Sequence, residues 1–328
     1  MKKLVLDFPN QLQEALIIGK HHKFTASADK KFSNVVVTGL GGSGIGASIV
    51  QNFVFDKLEL PFVVNKDYFI PAFVNKHSLV IVCSYSGNTE ETLMAMHQAI
   101  EAKATIVCIT SGGAIAALAD KENLDCILVP GGMPPRACLG YSLVQILFTL
   151  AHFGLLNNDF EKQITAAVHQ LRESSEQIQE KATALSKAIF GKLPIVYASS
   201  FYEGVAVRFR QQLNENSKML GWQGVIPEMN HNELVGWRDN ADDKVVILLR
   251  NTDDFERVQT RMEINKQVFE KHTSNIIEIY SEGNSYFEKA FYLIHITDWI
   301  SVILADLRQL DATEVNVIDF LKSSLAKG

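Results

Sequence analysis

The chain has 328 residues, enough for two domains of ordinary size that each bury a core. Hydrophobic residues make up 47% and charged residues 21%, the balance of an ordinary soluble globular protein. A formal charge of -6 without any basic stripe argues against nucleic acid as a partner, and no uninterrupted apolar run reaches the roughly 18 residues of a membrane span.

The opening Met1-Lys2-Lys3-Leu4-Val5-Leu6-Asp7-Phe8-Pro9 starts like a signal peptide, but Asp7 and Pro9 end its apolar run too early. Residues 1 to 31 read as a helical arm, with Leu12, Ala15, Leu16 and Ile17 as a partial apolar stripe. A first strand, Asn34 to Thr38, leads into a glycine-rich turn, Gly39-Leu40-Gly41-Gly42-Ser43-Gly44-Ile45-Gly46. Those residues match the dinucleotide fingerprint G-x-G-x-x-G at a strand-loop-helix position. The fingerprint also requires an acidic residue at the end of the following strand. Phe62-Val63-Val64 ends instead in Asn65-Lys66, with Asp67 a marginal substitute. A turn of this kind carrying Ser43 serves a phosphate or sugar equally well, because glycine lets the backbone approach closely.

The next stretch is the most informative. Leu79 to Cys83 is apolar and mostly β-branched, the pattern of a strand buried on both faces. Ser84, Ser86 and Thr89 follow around Gly87, and a helix is expected from Glu90 to Lys103. Three hydroxyls therefore crowd onto a helix amino end, where free N–H groups and the helix dipole favour an anion such as phosphate. A helix cap needs only one of them. Glu90 and Glu91 suit the dipole but repel phosphate, so both are expected to face solvent.

Strands recur at Thr105 to Thr110 and Cys126 to Val129, with helices between them. The alternation implies a parallel, doubly wound sheet whose sites lie at the carboxyl ends of its strands. Pro130 to Ala137 follows the last strand and brings Arg136 to that edge, although a surface arginine after a proline turn would look the same. A helix from Tyr141 to Leu155 closes the first domain. Cys83, Cys108, Cys126 and Cys138 show no CxxC spacing, so neither disulfide nor metal is expected, and a reducing cytoplasm fits.

Residues 156 to 190 are polar and glycine-free, with Leu171, Ile178 and Leu185 at sevenfold spacing, and read as one long bridging helix. The pattern then restarts as a worn copy of the first half. A strand spans Leu193 to Ser200, and a helix from Glu203 to Leu213 carries Arg208 and Arg210. Strands follow at Val245 to Leu249 and Ile276 to Ile279, with helices near 254–271 and 285–307. The fold class is thus α/β, as two doubly wound αβα sandwiches with parallel sheets, over residues 1–155 and 156–328. Only the first half carries a serine-rich loop, so the phosphate site belongs there.

Asn214-Glu215-Asn216-Ser217-Lys218, Trp222 and Pro227-Glu228-Met229-Asn230-His231-Asn232-Glu233 form a dense polar passage in the second half. His231 with Glu228 or Glu233 could ligate zinc, but no second histidine stands at ligand spacing. An acid/base pair suits these residues better, since a carboxylate can move a proton on carbon and a histidine can serve oxygen near neutrality. A satisfied polar turn has the same composition.

Taken together, Gly41-Gly42-Ser43-Gly44, Ser84-Tyr85-Ser86-Gly87-Asn88-Thr89, Pro135-Arg136, Asn214-Glu215-Asn216 and Glu228-Met229-Asn230-His231-Asn232-Glu233 resemble, in this order, the bifunctional phosphoglucose/phosphomannose isomerases. Those enzymes are built from two sugar-isomerase (SIS) domains, and the resemblance runs from about residue 35 to the C-terminal helix. It implies interconversion of glucose 6-phosphate or mannose 6-phosphate with fructose 6-phosphate, with no metal and no nicotinamide cofactor. By the same resemblance Ser43, Ser84, Ser86 and Thr89 hold the phosphate, and the backbone of Gly42 and Gly44 approaches the substrate. Glu215 shuttles the proton between C1 and C2, and Arg136 is the cation beside the enediolate. His231 assists ring opening from the neighbouring subunit of a homodimer, and Lys322 in Phe320-Leu321-Lys322 also helps open the ring. Other SIS sugar-phosphate isomerases and a non-catalytic sugar-phosphate sensor remain alternatives. The chain shows no glutaminase-like domain and no helix-turn-helix.

Overall fold

A computed structural model describes residues 1–325. The chain begins with α1 (Lys2–Leu6) and α2 (Phe8–His21), so the helical arm stops ten residues short of the expected end. Beyond it the backbone is extended and tied down by Asp125, whose carboxylate accepts from the N–H and hydroxyl of Thr25 and from the N–H of Ala26. The first α/β unit follows as β1 (Asn34–Thr38), α3 (Gly41–Val54), β2 (Phe62–Asn65), β3 (Ser78–Ser84), α4 (Glu90–Glu101), β4 (Thr105–Thr110), α5 (Gly113–Lys121), β5 (Asp125–Leu128) and α6 (Leu139–His152). Its five strands lie in the order β2-β1-β3-β4-β5, all parallel.

The polar segment after α6 is two helices, α7 (Asp159–Glu173) and α8 (Ser175–Ile189), not one. Ser174 breaks the run with φ −91° and ψ 6°, outside helical geometry, so the sevenfold spacing of Leu171, Ile178 and Leu185 crosses a bend. The second unit comprises β6 (Leu193–Ser199), α9 (Glu203–Glu215), β7 (Trp222–Ile226), β8 (Lys244–Arg250), α10 (Glu256–Phe269), β9 (Ile276–Tyr280), α11 (Tyr286–Leu307) and α12 (Asn316–Leu325). Its parallel order, β7-β6-β8-β9, repeats the first four strands of the first sheet and omits the fifth. Sequence reasoning misses β7, an edge strand whose Trp222, Gln223 and Gly224 lack the apolar run of a buried strand.

Each strand alternates between two cores. Val35, Val37, Leu79, Ile81, Val196, Ala198, Val245 and Ile247 face one continuous core shared by both sheets, with α11 running through it. Val36, Val80, Val82 and Ile106 face α4 and α5, while Tyr197, Val246 and Leu248 face Met262 and Phe269 of α10. The two sheets therefore share their largest core, where the sequence suggests one core apiece. α11 is long and apolar enough to cross a membrane by length and composition, but it lies buried at the centre of the protein. All four cysteines are free, and burial pushes the Cys126 and Cys138 thiols up to about 11, which leaves them inert.

His295 sits inside this shared core, stacked at 6.0 Å from Phe8, with its Nε2 accepting from Trp299 at 3.3 Å. Burial drives its pKa from 6.5 down to about 4. Between those values the unfolded chain binds a proton that the folded chain refuses, so stability falls as pH drops through that window and changes no further below it. The drop amounts to roughly 3 kcal/mol at about 1.4 kcal/mol per pH unit. Urea midpoints of His295→Gln and wild type, measured from pH 7 to pH 4, are expected to converge as pH falls. Parallel curves would contradict a neutral buried imidazole.

Candidate active site

The glycine-rich passage after β1 is the first two turns of α3, not a loop. A Cβ on Gly42 would stand 2.6 Å from the carbonyl oxygen of Pro135, and one on Gly44 would stand 2.4 Å from that of Gly39. These glycines allow α3 to start hard against its own strand and against the segment carrying Arg136. Gly44 and Ser43 donate their N–H groups to the Leu40 carbonyl. Gly41 and Gly42 occupy the first-turn positions whose N–H groups have no partner within a helix.

Ser43 is buried, and its hydroxyl accepts from the N–H of Tyr85 at 3.1 Å, tying α3 to the loop after β3. Tyr85 pins that loop further. Its hydroxyl donates to Pro130 at 2.8 Å and accepts from Met133, and its carbonyl accepts from both the N–H and the hydroxyl of Ser111. Gly87 has φ +67°, and a Cβ there would stand 1.8 Å from the Gly112 carbonyl oxygen, so only glycine fits. Thr89 occupies the N-cap of α4, yet its hydroxyl bonds Ser84 at 2.9 Å and caps nothing. Ser86 and Asn88 are exposed, and the Asn88 amide oxygen accepts from Ala114. The result is a rigid loop with unspent N–H donors at the start of a twelve-residue helix, ringed by Ser84, Ser86 and Thr89. Glu90 faces solvent as expected, but Glu91 is half-buried.

Arg136 is 4% exposed and no surface residue. Its Nε donates to Asn216 at 2.8 Å, and its Nη2 donates to the carbonyls of Ala312 at 2.7 Å and Thr313 at 2.9 Å. Among the described residues only Nη1 is left without a hydrogen bond, 3.5 Å from a carboxylate oxygen of Glu215. Burial lowers the guanidinium's pKa from its ordinary value, and the carboxylates of Glu215, Asp311 and Glu314 oppose that shift. Glu215 ends α9 with its side chain 28% exposed. A carboxylate from the second half thus meets a guanidinium from the first, and the backbone that carries this guanidinium abuts Gly42, next to Ser43 in sequence.

Among the described residues, the rest of the polar passage divides into hydrogen-bonded groups and one exposed group without a partner, His231. Glu233 accepts from Tyr197 and Trp222, and Asn230 donates to Asn265. Met229 is buried in the outer core of the second sheet. His231 is exposed on the short turn Glu228–His231 after β7. Lys322 is exposed on α12, a helix that buries none of its residues. Within one chain, the structure joins Ser43, Ser84, Thr89, Arg136 and Glu215 through contacts, and brings neither His231 nor Lys322 to them.

Sequence reasoning assigned no role to three groups here. Asn216 orients Arg136, Lys218 reaches the 311–314 segment, and Lys66 extends past the end of β2 to within 3.8 Å of where a Gly44 Cβ would stand. The first two lie in the polar run at the end of α9, where five consecutive polar residues were signal enough. Among the described residues no group of three or more His, Cys, Asp or Glu is placed to hold a metal ion.

The parallel sheets with a hydroxyl-lined helix start define a sugar-isomerase class, and the model of the bacterial phospho-glucose isomerase C-terminal SIS domain matches residues 178–325. A bifunctional phosphoglucose/phosphomannose isomerase of Caldicellulosiruptor bescii is 40% identical over 100% of this chain and 99% of its own length. One from Aquifex aeolicus is 36% identical over 90% of this chain and 91% of its own length. The chain belongs to the bifunctional phosphoglucose/phosphomannose isomerase family. A D-glucosamine-6-phosphate 4-epimerase of Sulfolobus acidocaldarius is similar at 26% identity over 88% of each chain. The fold is shared with the C-terminal domain of the glucosamine-fructose-6-phosphate aminotransferase of Francisella tularensis, at TM-score 0.76 and 13% identity, covering 96% of this chain and 98% of that one.

Proposed function

We propose that this chain is an isomerase of hexose 6-phosphates, interconverting glucose 6-phosphate and mannose 6-phosphate with fructose 6-phosphate through a cis-enediolate, with no metal. The observation that carries the reading is the 3.5 Å approach of Glu215 to Arg136, from opposite halves of the chain. The phosphate dianion sits at the amino end of α4, held by Ser84, Ser86, Thr89 and, across the Tyr85 contact, Ser43. Binding energy from this non-reacting group positions C1 and C2 for reaction. Glu215 removes the proton from C2 of the open aldose and returns it to C1, while the hydroxyl proton passes from O2 to O1, which leaves the ketone at C2. The charge that develops on O1 and O2 faces Nη1 of Arg136, a fixed donor worth a few kcal/mol of barrier.

Ring opening needs a group that moves a proton on oxygen. His231 of the partner subunit fills that role in a homodimer, a reading supported by the exposure of His231 in this chain. Lys322 joins it from α12. Residues 1–155 form the phosphate-binding SIS domain and 156–328 the SIS domain with Glu215 and His231, and the four free cysteines, three of them buried, suit a reducing cytoplasm.

The assay is direct. Fructose 6-phosphate supplied with EDTA is expected to yield both aldose phosphates. A requirement for a divalent ion would contradict the chemistry, and glucose 6-phosphate as sole product would remove the mannose half. Turnover of glucosamine 6-phosphate in place of these would favour the amino-sugar reading that the epimerase relative suggests.

A further inference from the structure

Four consecutive carbonyls in the link between α11 and α12 are gripped by two cations. Arg136 holds those of Ala312 and Thr313. Lys218 holds the flanking pair, donating from Nζ to Asp311 at 2.9 Å and to Glu314 at 2.8 Å. A third Lys218 bond, at 2.8 Å, runs back to the carbonyl of Glu215 itself, and the Glu314 carboxylate stands 3.5 Å from the same nitrogen. That Glu215 carbonyl lies among the last four of α9, which have no partner within the helix.

The backbone at Lys218 is left-handed, with φ +52°. Lys103, Asn123 and Gln309 take the same conformation just past α4, α5 and α11, so it marks the end of α9 and sets the direction in which the Lys218 side chain leaves it. Arg136 cannot fix the arrangement alone. Three of its five donors are spent on Asn216 and the strap at 311–314, so the strap helps set where its guanidinium lies.

We propose that Lys218 is a positioning residue for the isomerisation. It clamps the last turn of α9 to the strap and so sets the Glu215 carboxylate against Arg136. This rests on Glu215 being the proton carrier. Among the described residues, none of the hydrogen bonds of the 84–89 loop goes to Lys218, so its loss acts on turnover and spares phosphate binding.

The test uses the full chain with fructose 6-phosphate, reading kcat and KM separately, alongside thermal midpoints. Lys218→Met is expected to lose about 10- to 100-fold in kcat, the scale of an ångström-sized misplacement, with KM within threefold. Lys218→Arg is expected to regain most of that loss. Lys218→Gly relieves the left-handed backbone while removing the ammonium, so it is expected to fold and still to lose turnover like the methionine variant. Met or Gly variants with kcat within twofold of wild type overturn the proposal, as does a rise in KM at unchanged kcat. Failure of both to fold also overturns it, in favour of a purely structural clamp. A wild-type chain that isomerises nothing overturns the assignment of Glu215 as well, whereas an active wild type with indifferent variants overturns only the role of Lys218.

Discussion

Glu215→Gln is expected to cost at least ~100-fold in turnover while KM for fructose 6-phosphate stays within a few-fold, the pattern of losing an acid/base group and keeping the binding site. The amide preserves the volume of the carboxylate and can still accept a hydrogen bond from Nη1 of Arg136, so the fold has no reason to fail. It cannot carry a proton between two carbons. A hundredfold loss corresponds to about 2.7 kcal/mol of barrier. Steady-state kinetics on the purified variant decide the matter, and near-normal turnover would remove Glu215 from the chemistry.

The largest loss of stability is expected from Asp298→Ala. Asp298 and Arg208 pair at 2.6 Å with side chains 6% and 4% exposed, and Gln212 donates to the other carboxylate oxygen at 2.9 Å. Removing the carboxylate strands a guanidinium in the core, which costs about 3–5 kcal/mol. Arg208 also donates to the backbone carbonyl of Arg136 at 3.1 Å, so the damage reaches the segment beside the site. Urea unfolding should show a large fall in midpoint at an unchanged slope. A shift worth less than about 1 kcal/mol would mean that solvent or another group relieves Arg208.

Much of the architecture was legible in the residues. β1 and β4 span the residues expected of them, Asn34–Thr38 and Thr105–Thr110, because a parallel strand covered on both faces is mostly apolar and β-branched. The repeat of the first half by the second was visible for the same reason. β7 was not, since an edge strand with Trp222 in solvent needs no apolar run. Nor was the bend at Ser174, where both flanking helices keep polar outer faces and neither glycine nor proline marks the break.

The site was legible in its types and not in its wiring. Serines and a threonine around Gly87 announce an anion site locally, whereas the bonds from Arg136 to Ala312 and Thr313 span more than 170 residues and end on carbonyls, which carry no side-chain signal. For the same reason Glu233 and His231 looked alike in sequence. Only the fold shows that Glu233 is spent on Tyr197 and Trp222, while His231 is exposed.

Proton exchange at the sugar carbons tests most directly whether a carboxylate from the second half serves a phosphate held in the first. With fructose 6-phosphate in D2O, the wild-type chain should place solvent deuterium at C2 of the glucose 6-phosphate it forms, increasing over repeated turnovers, and Glu215→Gln should not. A Glu215→Gln chain that isomerises and exchanges as fast as wild type would contradict proton transfer through Glu215.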